Sequence, residues 1–252
     1  MENQKKQYNT LKDVPAFVWE KLANKKIFFG HQSVGYNILN GITELMKKYT
    51  EIKLNIVEIS DKINFIAGVF AHSRVGYNRD PKSKVDGFKT LMDKGLGEKM
   101  DIAFLKFCYV DFNHQTDVKK VFTEYSDAIS TLKKKYPATT FIHVTAPLVK
   151  KQTGLKILVK KIMGNTMHGN NDNAAKCKFN ELIKQEYKRI DPVFDLAKVE
   201  SKHPDGKREF FKKDGNTYYA LVPHYTNDGG HLNSAGQKAV ASELLLFLAA
   251  NV

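Results

Sequence analysis

A hydroxyl nucleophile, a base to take its proton and a carboxylate to hold that base make up the set that acyl transfer needs, and this sequence offers one of each. Ser33 stands in Gly30-His31-Gln32-Ser33-Val34-Gly35, where a short apolar run meets a helical pattern. A serine hydroxyl is a poor nucleophile until a base removes its proton. The other end of the chain carries Asp228-Gly229-Gly230-His231. Asp-x-x-His spacing on a Gly-Gly turn lets the carboxylate reach the imidazole and fix its tautomer. His231 would accept the Ser33 proton, and Asp228 would orient the ring and stabilise the imidazolium. Each segment also has a plainer reading. Ser33 suits a helix N-cap, and residues 225–236 suit a surface turn with an incidental histidine. The pairing of the two is what points to nucleophilic chemistry.

Such a set works only if secondary structure brings its members together. Continuous apolar, β-branched or aromatic runs at 26–29, 54–59, 102–110 and 140–145, and a weaker one at 192–196, read as strands. Their unbroken apolar character fits strands buried on both faces of a parallel sheet. Between them, apolar residues recur at helical spacing. One set is Val34, Ile38, Ile42, Leu45, Met46 and Tyr49; another is Val118, Phe122, Tyr125, Ile129 and Leu132. Phe179, Leu182, Ile183 and Tyr187 form a third, and Val240, Leu244, Phe247 and Leu248 a fourth. Ser234-Ala235-Gly236-Gln237 reads as a capping box that starts the last helix near Ser234. Strand alternating with helix implies an α/β sandwich. Residues 70–88 and 198–226 break the alternation; the second holds a possible short hairpin around 218–222. In open α/β sheets ligands bind beyond the carboxyl ends of the strands. Ser33 falls there, at a helix N-terminus whose N–H groups and dipole favour negative charge.

The two segments together resemble the SGNH hydrolase superfamily, also called the GDSL esterase/lipase family. The resemblance runs from about residue 25 to 252 and is most specific in Asp228-Gly229-Gly230-His231-Leu232-Asn233-x-x-Gly236. Phe194-Asp195-Leu196-Ala197-Lys198-Val199-Glu200 resembles the region that precedes that ending. The resemblance implies a three-layer α/β/α, flavodoxin-like fold, with residues 1–24 as an N-terminal extension and 25–252 as one domain. It makes Ser33 the nucleophile, His231 the base and Asp228 its partner. It also implies an oxyanion hole built from the Ser33 N–H, a glycine after the second strand and an asparagine after the third. Gly76 is the candidate glycine. The first motif departs from Gly-Asp-Ser, since His31 and Gln32 stand between Gly30 and Ser33. The third departs too: alignment on Asp111 puts Val110, which has no side-chain donor, at the asparagine position. Asn78 is the preferred replacement, because it follows Gly76 by two residues; Asn113 is the other choice, and it also suits a cap for the next helix.

His31, His72 and Arg74 fall in the loops assigned to the site and are expected to meet substrate. Arg74 and Arg79 suit an anionic group or surface ion pairs. The histidine spacings, His224 included, match no metal signature, and no metal or cofactor is expected. Cys108 and Cys177 make no disulfide framework. The net charge of +13 comes mostly from lysine runs on solvated faces, with no zinc-finger or RNA-binding signature. No apolar run is long enough for a membrane span. The chain reads as soluble, cytoplasmic as it stands and secreted or periplasmic if an export signal precedes it. The polar loop 164–173 is either a solvated linker or a substrate contact. The expected activity is ester hydrolysis through an acyl-enzyme, on short O-acetyl esters of carbohydrate. An acyltransferase would use the same residues with a sugar hydroxyl in place of water. A catalytically weak glycan- or anion-binding module is the reading from another class.

Overall fold

The structure is a computed structural model that describes residues 8–59, 67–152 and 169–252. Its centre is a six-stranded, wholly parallel sheet. In chain order the strands are β1 (Lys26–His31), β2 (Ile56–Glu58), β3 (Val69–Arg74), β4 (Ile102–Leu105), β5 (Thr140–Val144) and β6 (Val193–Phe194). They lie in the order β2-β3-β1-β4-β5-β6. The helices are α1 (Ala16–Ala23), α2 (Ser33–Lys48), α3 (Pro81–Leu91), α4 (Val118–Lys135), α5 (Asn170–Tyr187), α6 (Leu196–Glu200) and α7 (Ser234–Ala249). A separate antiparallel hairpin pairs β7 (Phe210–Lys213) with β8 (Asn216–Tyr219). Among the described residues no helix is long and apolar enough to cross a membrane.

Successive strand residues face opposite sides, so the sheet needs an apolar layer on each. Phe29, Phe70 and Phe104 share one face with Ile38 and Ile42 of α2 and Val240 and Leu244 of α7. Phe28, Ala103 and Phe141 share the other with Phe88 of α3, Tyr125 of α4 and Phe179 of α5. The expected three-layer α/β/α sandwich is therefore what forms. The segment read as an N-terminal extension is joined to the first of these layers: Leu11, Val14, Val18, Trp19 and Leu22 are buried in it.

Several local expectations need correction. Residues 70–88 are not an irregular stretch. They hold most of β3, which lies directly beside β1, and the start of α3. The polar His72, Ser73 and Arg74 at the end of β3 conceal the strand. Asp80 and Pro81 start the helix. Asp80 caps it by accepting the Ser83 N–H at 3.0 Å, and Pro81 takes the first turn, where its missing N–H costs nothing. The run 102–110 stops being strand at Leu105, because Asp111 turns the chain back by accepting the Cys108 N–H at 2.6 Å. The hairpin lies earlier than expected. Its turn is Asp214-Gly215, both at positive φ (49° and 75°), the residue pair that a tight hairpin favours. The loop 164–173 falls outside the described residues up to His168; Asn170 already starts α5.

One packing contact matters most for the site. A Cβ on Gly41 of α2 would lie 2.3 Å from the Gln237 carbonyl oxygen of α7. Only glycine allows the two backbones to approach this closely. That approach brings the start of α2 against the turn before α7, although the two are nearly the whole chain apart.

Candidate active site

Strand β1 ends at His31, and α2 begins two residues later with Ser33 as its first helical residue. Gln32, in extended backbone, is the N-cap, so Ser33 is not the cap but the residue after it. The N–H groups of a first helical turn have no intrahelical partner. In this turn the Gly35 N–H donates to the Gln32 carbonyl at 2.7 Å, while the N–H groups of Ser33 and Val34 precede any acceptor within the helix.

The residues before Ser33 are fixed by buried polar contacts. His31 is fully buried. Burial drives its imidazole down to about 3, with the nearby Lys106, His72 and Arg74 adding to the effect against the Gln32 hydrogen bond. A neutral ring has one donor. Nδ1 donates to the Gln32 carbonyl at 2.8 Å, which leaves Nε2 to accept from Nδ1 of His72 at 3.1 Å. Burial lowers the His72 imidazole as well. Of the three side chains expected to meet substrate, His31 and His72 are thus buried supports of the turn, and Arg74 is exposed, with its guanidinium 6.0 Å from the Tyr36 ring centre. The Gln32 side chain reaches sideways and donates to the carbonyls of Val75 and Gly76 at 2.9 and 2.7 Å.

The second segment is the turn before α7. Asn233 caps the helix by accepting the N–H groups of Ala235 and Gly236, both at 3.1 Å. This corrects the expected cap at Ser234, because the side chain one residue earlier reaches the first-turn donors; Gln237 instead donates to the Leu232 carbonyl at 2.9 Å. Asp228 Oδ1 accepts the N–H groups of Gly230 (2.9 Å) and His231 (2.8 Å). Its Oδ2 meets His231 Nδ1 at 2.6 Å. Burial alone would raise the Asp228 carboxyl, but the bonds from Gly230 and His231 bring it down to about 2. The Leu232 N–H donates to Asn37 Oδ1 of α2 at 3.1 Å, stitching the turn to the helix of Ser33. His231 Nε2 then lies 3.0 Å from Ser33 Oγ, across a separation of 198 residues.

The sequence of the chain is matched over residues 39–244 by the profile of the GDSL-like lipase/acylhydrolase family. The chain belongs to that family. No curated protein matches it. Solved structures resemble this acylhydrolase in fold. A protein from Parabacteroides merdae assigned as a GDSL-like lipase matches with a TM-score of 0.58 at 10% identity, covering 90% of this chain and 96% of its own. A carbohydrate esterase of family 3 from Talaromyces cellulolyticus matches at 0.54 and 12%, covering 90% and 99%. A Streptococcus pneumonia protein assigned as a platelet activating factor matches at 0.53 and 16%, covering 94% of each chain.

The loops after β3 and β4 carry the other residues expected at the site. Gly76 has φ +57°, and a Cβ there would lie 2.4 Å from the Lys84 nitrogen, so glycine is required on both counts. Asn78 is exposed on the turn that follows. Asn113 is engaged locally: its Oδ1 accepts the Gln115 N–H at 2.8 Å, and the cap of α4 is Asp117 rather than Asn113. Beneath these loops, fully buried Lys84 pairs with Asp111 at 2.6 Å and also donates to the Tyr77 carbonyl at 2.6 Å. Asp111 thus ties the two loops together, since it also accepts the Arg79 N–H at 3.0 Å. Sequence reasoning missed the clamp made by Gln32 and the contact of Tyr109 with His231. Gln32 lies inside the motif itself, but nothing in a lone glutamine says which loop it reaches. Among the described residues no group of three His, Cys, Asp or Glu side chains converges to hold a metal ion.

Proposed function

We propose that this acylhydrolase is a serine esterase that cleaves short acyl esters, O-acetyl groups on carbohydrate in particular, through a covalent acyl-enzyme. The observation that carries the reading is the continuous chain from Asp228 Oδ2 to His231 Nδ1 at 2.6 Å and from His231 Nε2 to Ser33 Oγ at 3.0 Å. In the first half-reaction Oγ attacks the ester carbonyl carbon while its proton passes to Nε2. The oxyanion is received by N–H groups at the start of α2, with Gly76 and Asn78 in the loop beside it. As the tetrahedral species collapses, Nε2 returns the proton to the departing alkoxide. Water then attacks the acyl-serine while Nε2 takes its proton, and as the acid leaves Nε2 returns that proton to Oγ, restoring Ser33. Asp228, held near 2 by its hydrogen bonds, stays a carboxylate throughout and opposes the imidazolium charge.

The exposure of the site supports this substrate class. The side chains of His231 and Asp228 are 40% and 56% exposed. A site this open favours a hydrophilic ester over a long acyl chain, which needs an enclosed apolar channel. The Talaromyces cellulolyticus neighbour, a carbohydrate esterase, shows that the fold hosts such a reaction. The deciding experiment is labelling with a fluorophosphonate probe, located by mass, together with acetate release from acetylated oligosaccharide. Labelling at Ser33 that vanishes in Ser33→Ala and persists in a remote serine variant is expected. Absence of both labelling and p-nitrophenyl acetate hydrolysis at neutral pH would sink the proposal. Acetate release that requires an added sugar acceptor would identify a transferase instead.

A further inference from the structure

We propose that Tyr109 is a positioning residue that holds the His231 imidazole in line with Ser33. The inference rests on the reading of Ser33 and His231 as the acylation pair. The Tyr109 hydroxyl lies 3.3 Å from Nδ1 and 3.4 Å from Nε2 of His231. Both nitrogens already have partners in the ring plane, Asp228 on one side and Ser33 on the other. Near-equal distances to both nitrogens put the hydroxyl over the ring face between them. An in-plane approach at those distances would drive it into Cε1. The two rings cross at 86° with centroids 5.2 Å apart, so the phenol stands end-on over the imidazole.

The tyrosine is itself seated. A Cβ on Gly230 would lie 2.6 Å from Tyr109 Cζ, so the ring rests against the bare backbone of the turn that carries His231. Burial, with the nearby Cys108 and Asp228 adding to it, pushes the phenol up to about 12, and it stays protonated and uncharged at working pH. The physical need is clear. His231 and Asp228 sit on an exposed turn, and the Asp228 bond fixes only one point of the ring. Rocking about that bond would swing Nε2 away from Oγ. Tyr109 closes one face of the ring against that motion. The loop after β4, which lacks the expected amide because Val110 stands there, thus contributes an aromatic clamp from the adjacent residue.

A pair of substitutions tests the clamp through the space that Gly230 leaves. Displacing a reacting group by about 1 Å can cost about 100-fold, so Tyr109→Ala is expected to lower kcat for p-nitrophenyl acetate about 10- to 100-fold. KM should stay within about threefold, because the residue acts on the base and not on ground-state binding. Tyr109→Phe keeps the ring and should retain most of kcat. Gly230→Ala pushes the ring aside and should lose kcat by a similar factor. The double variant should be no worse than Tyr109→Ala alone, since the added methyl then has room. A merely structural tyrosine would lower the melting temperature and leave kcat of the folded fraction unchanged, and independent action of Tyr109 and Gly230 would give losses that multiply. Long-range 15N spectra of the His231 imidazole supply a readout that needs no substrate. One tautomer with the proton on Nδ1 is expected in the intact protein, and averaged nitrogen shifts in Tyr109→Ala. An unchanged spectrum, or multiplying losses, overturns the proposal. If the intact protein cleaves no ester, the esterase reading fails while the spectra still decide the role of Tyr109.

Discussion

Among the described residues two carboxylate–imidazole–hydroxyl chains stand out, and they differ in what can reach them. One is Asp228–His231–Ser33. The other joins Asp191 Oδ2 to His143 Nε2 at 3.2 Å and His143 Nδ1 to the Tyr125 hydroxyl at 2.9 Å. His143 is fully buried and stacked on Tyr187, with centroids 3.5 Å apart. Burial takes its imidazole down to about 4 in spite of the Asp191 hydrogen bond. A neutral ring therefore donates from Nε2 to Asp191 and accepts from Tyr125. Asp191 is further held by Lys133 at 2.5 Å. The imidazole nitrogens and the Asp191 carboxylate are all matched by partners within the protein. In the first chain the hydroxyl is an alcohol at an open helix N-terminus and the imidazole reaches solvent. The same three functional groups thus make a structural brace in one place and, in the function proposed above, a reactive centre in another. Access and the identity of the hydroxyl separate them, not the hydrogen-bond pattern.

Exchanging damage between the two chains tests that distinction most severely. Ser33→Ala or His231→Ala should each cut kcat/KM by at least about 10⁴-fold, with a nearly unchanged melting temperature. His143→Ala should do the reverse. It leaves Asp191 and Tyr125 with a lost partner in the interior and opens a cavity, costing about 2–4 kcal/mol in urea unfolding, while kcat per folded molecule stays within about twofold of the intact protein, the scatter expected when a substitution leaves transition-state contacts alone. A large kcat loss in folded His143→Ala would erase the difference drawn here. Asp228→Asn comes next in size. It keeps the shape but offers His231 a donor where an acceptor is needed, and a loss of about 10²- to 10⁴-fold in kcat is expected.

How much of this was legible beforehand depended on whether the deciding partner was near in sequence. The parallel sheet, the placement of α2 and α7 and the Asp228–His231 pair follow from local patterns: apolar runs, helical spacing and a Gly-Gly turn. Strand β3 was not legible, because His72 and Arg74 look like loop residues until β1 is seen hydrogen-bonded beside them. His31 and His72 were expected to meet substrate, yet each takes the other as its partner in the interior. Burial is a property of the assembled sheet and leaves no mark on a histidine in the sequence. Gln32 and Tyr109 were missed for the same reason, as their partners lie 43 and 122 residues away.

Gln32 allows a smaller test of how the open chain is supported. Gln32→Leu removes both bonds to the loop after β3 while keeping most of the volume. Loss of a single oxyanion donor costs about 10²- to 10³-fold, and loosening the loop that carries Gly76 should cost less, about tenfold in kcat as an order-of-magnitude expectation on that scale. Steady-state kinetics with unchanged circular dichroism would establish it; an unaffected kcat would remove Gln32 from the support of the site.

The last test leaves activity aside and reads the buried groups through stability. His31 and His143 are held at about 3 and about 4 in the folded protein, against 6.5 when unfolded. Below pH 6.5 the unfolded chain binds protons that these folded rings refuse, so stability falls as pH drops through that window. Glu200 has the opposite sign. Burial raises it from 4.5 to about 8, so between those values the folded protein holds a proton that the unfolded chain has lost, and stability falls as pH rises. From pH 6.5 down to about 4.5 the two histidines outweigh the one glutamate; from 6.5 up to 8 the glutamate acts alone among these three groups. Each group contributes a slope of about 1.4 kcal/mol per pH unit where its folded and unfolded states differ. Burial also lowers the Lys106 and Lys176 ammonium groups, which oppose Glu200 on the alkaline side, so each contribution is read from the change its own variant makes to the pH profile of urea unfolding. Glu200→Gln should remove the decline that Glu200 contributes on the alkaline side, and His143→Gln should flatten the acid side. A pH profile between 6.5 and 8 that Glu200→Gln leaves unchanged would mean that Glu200 is ionised in the interior, paired with Lys106 and Lys176 instead of protonated.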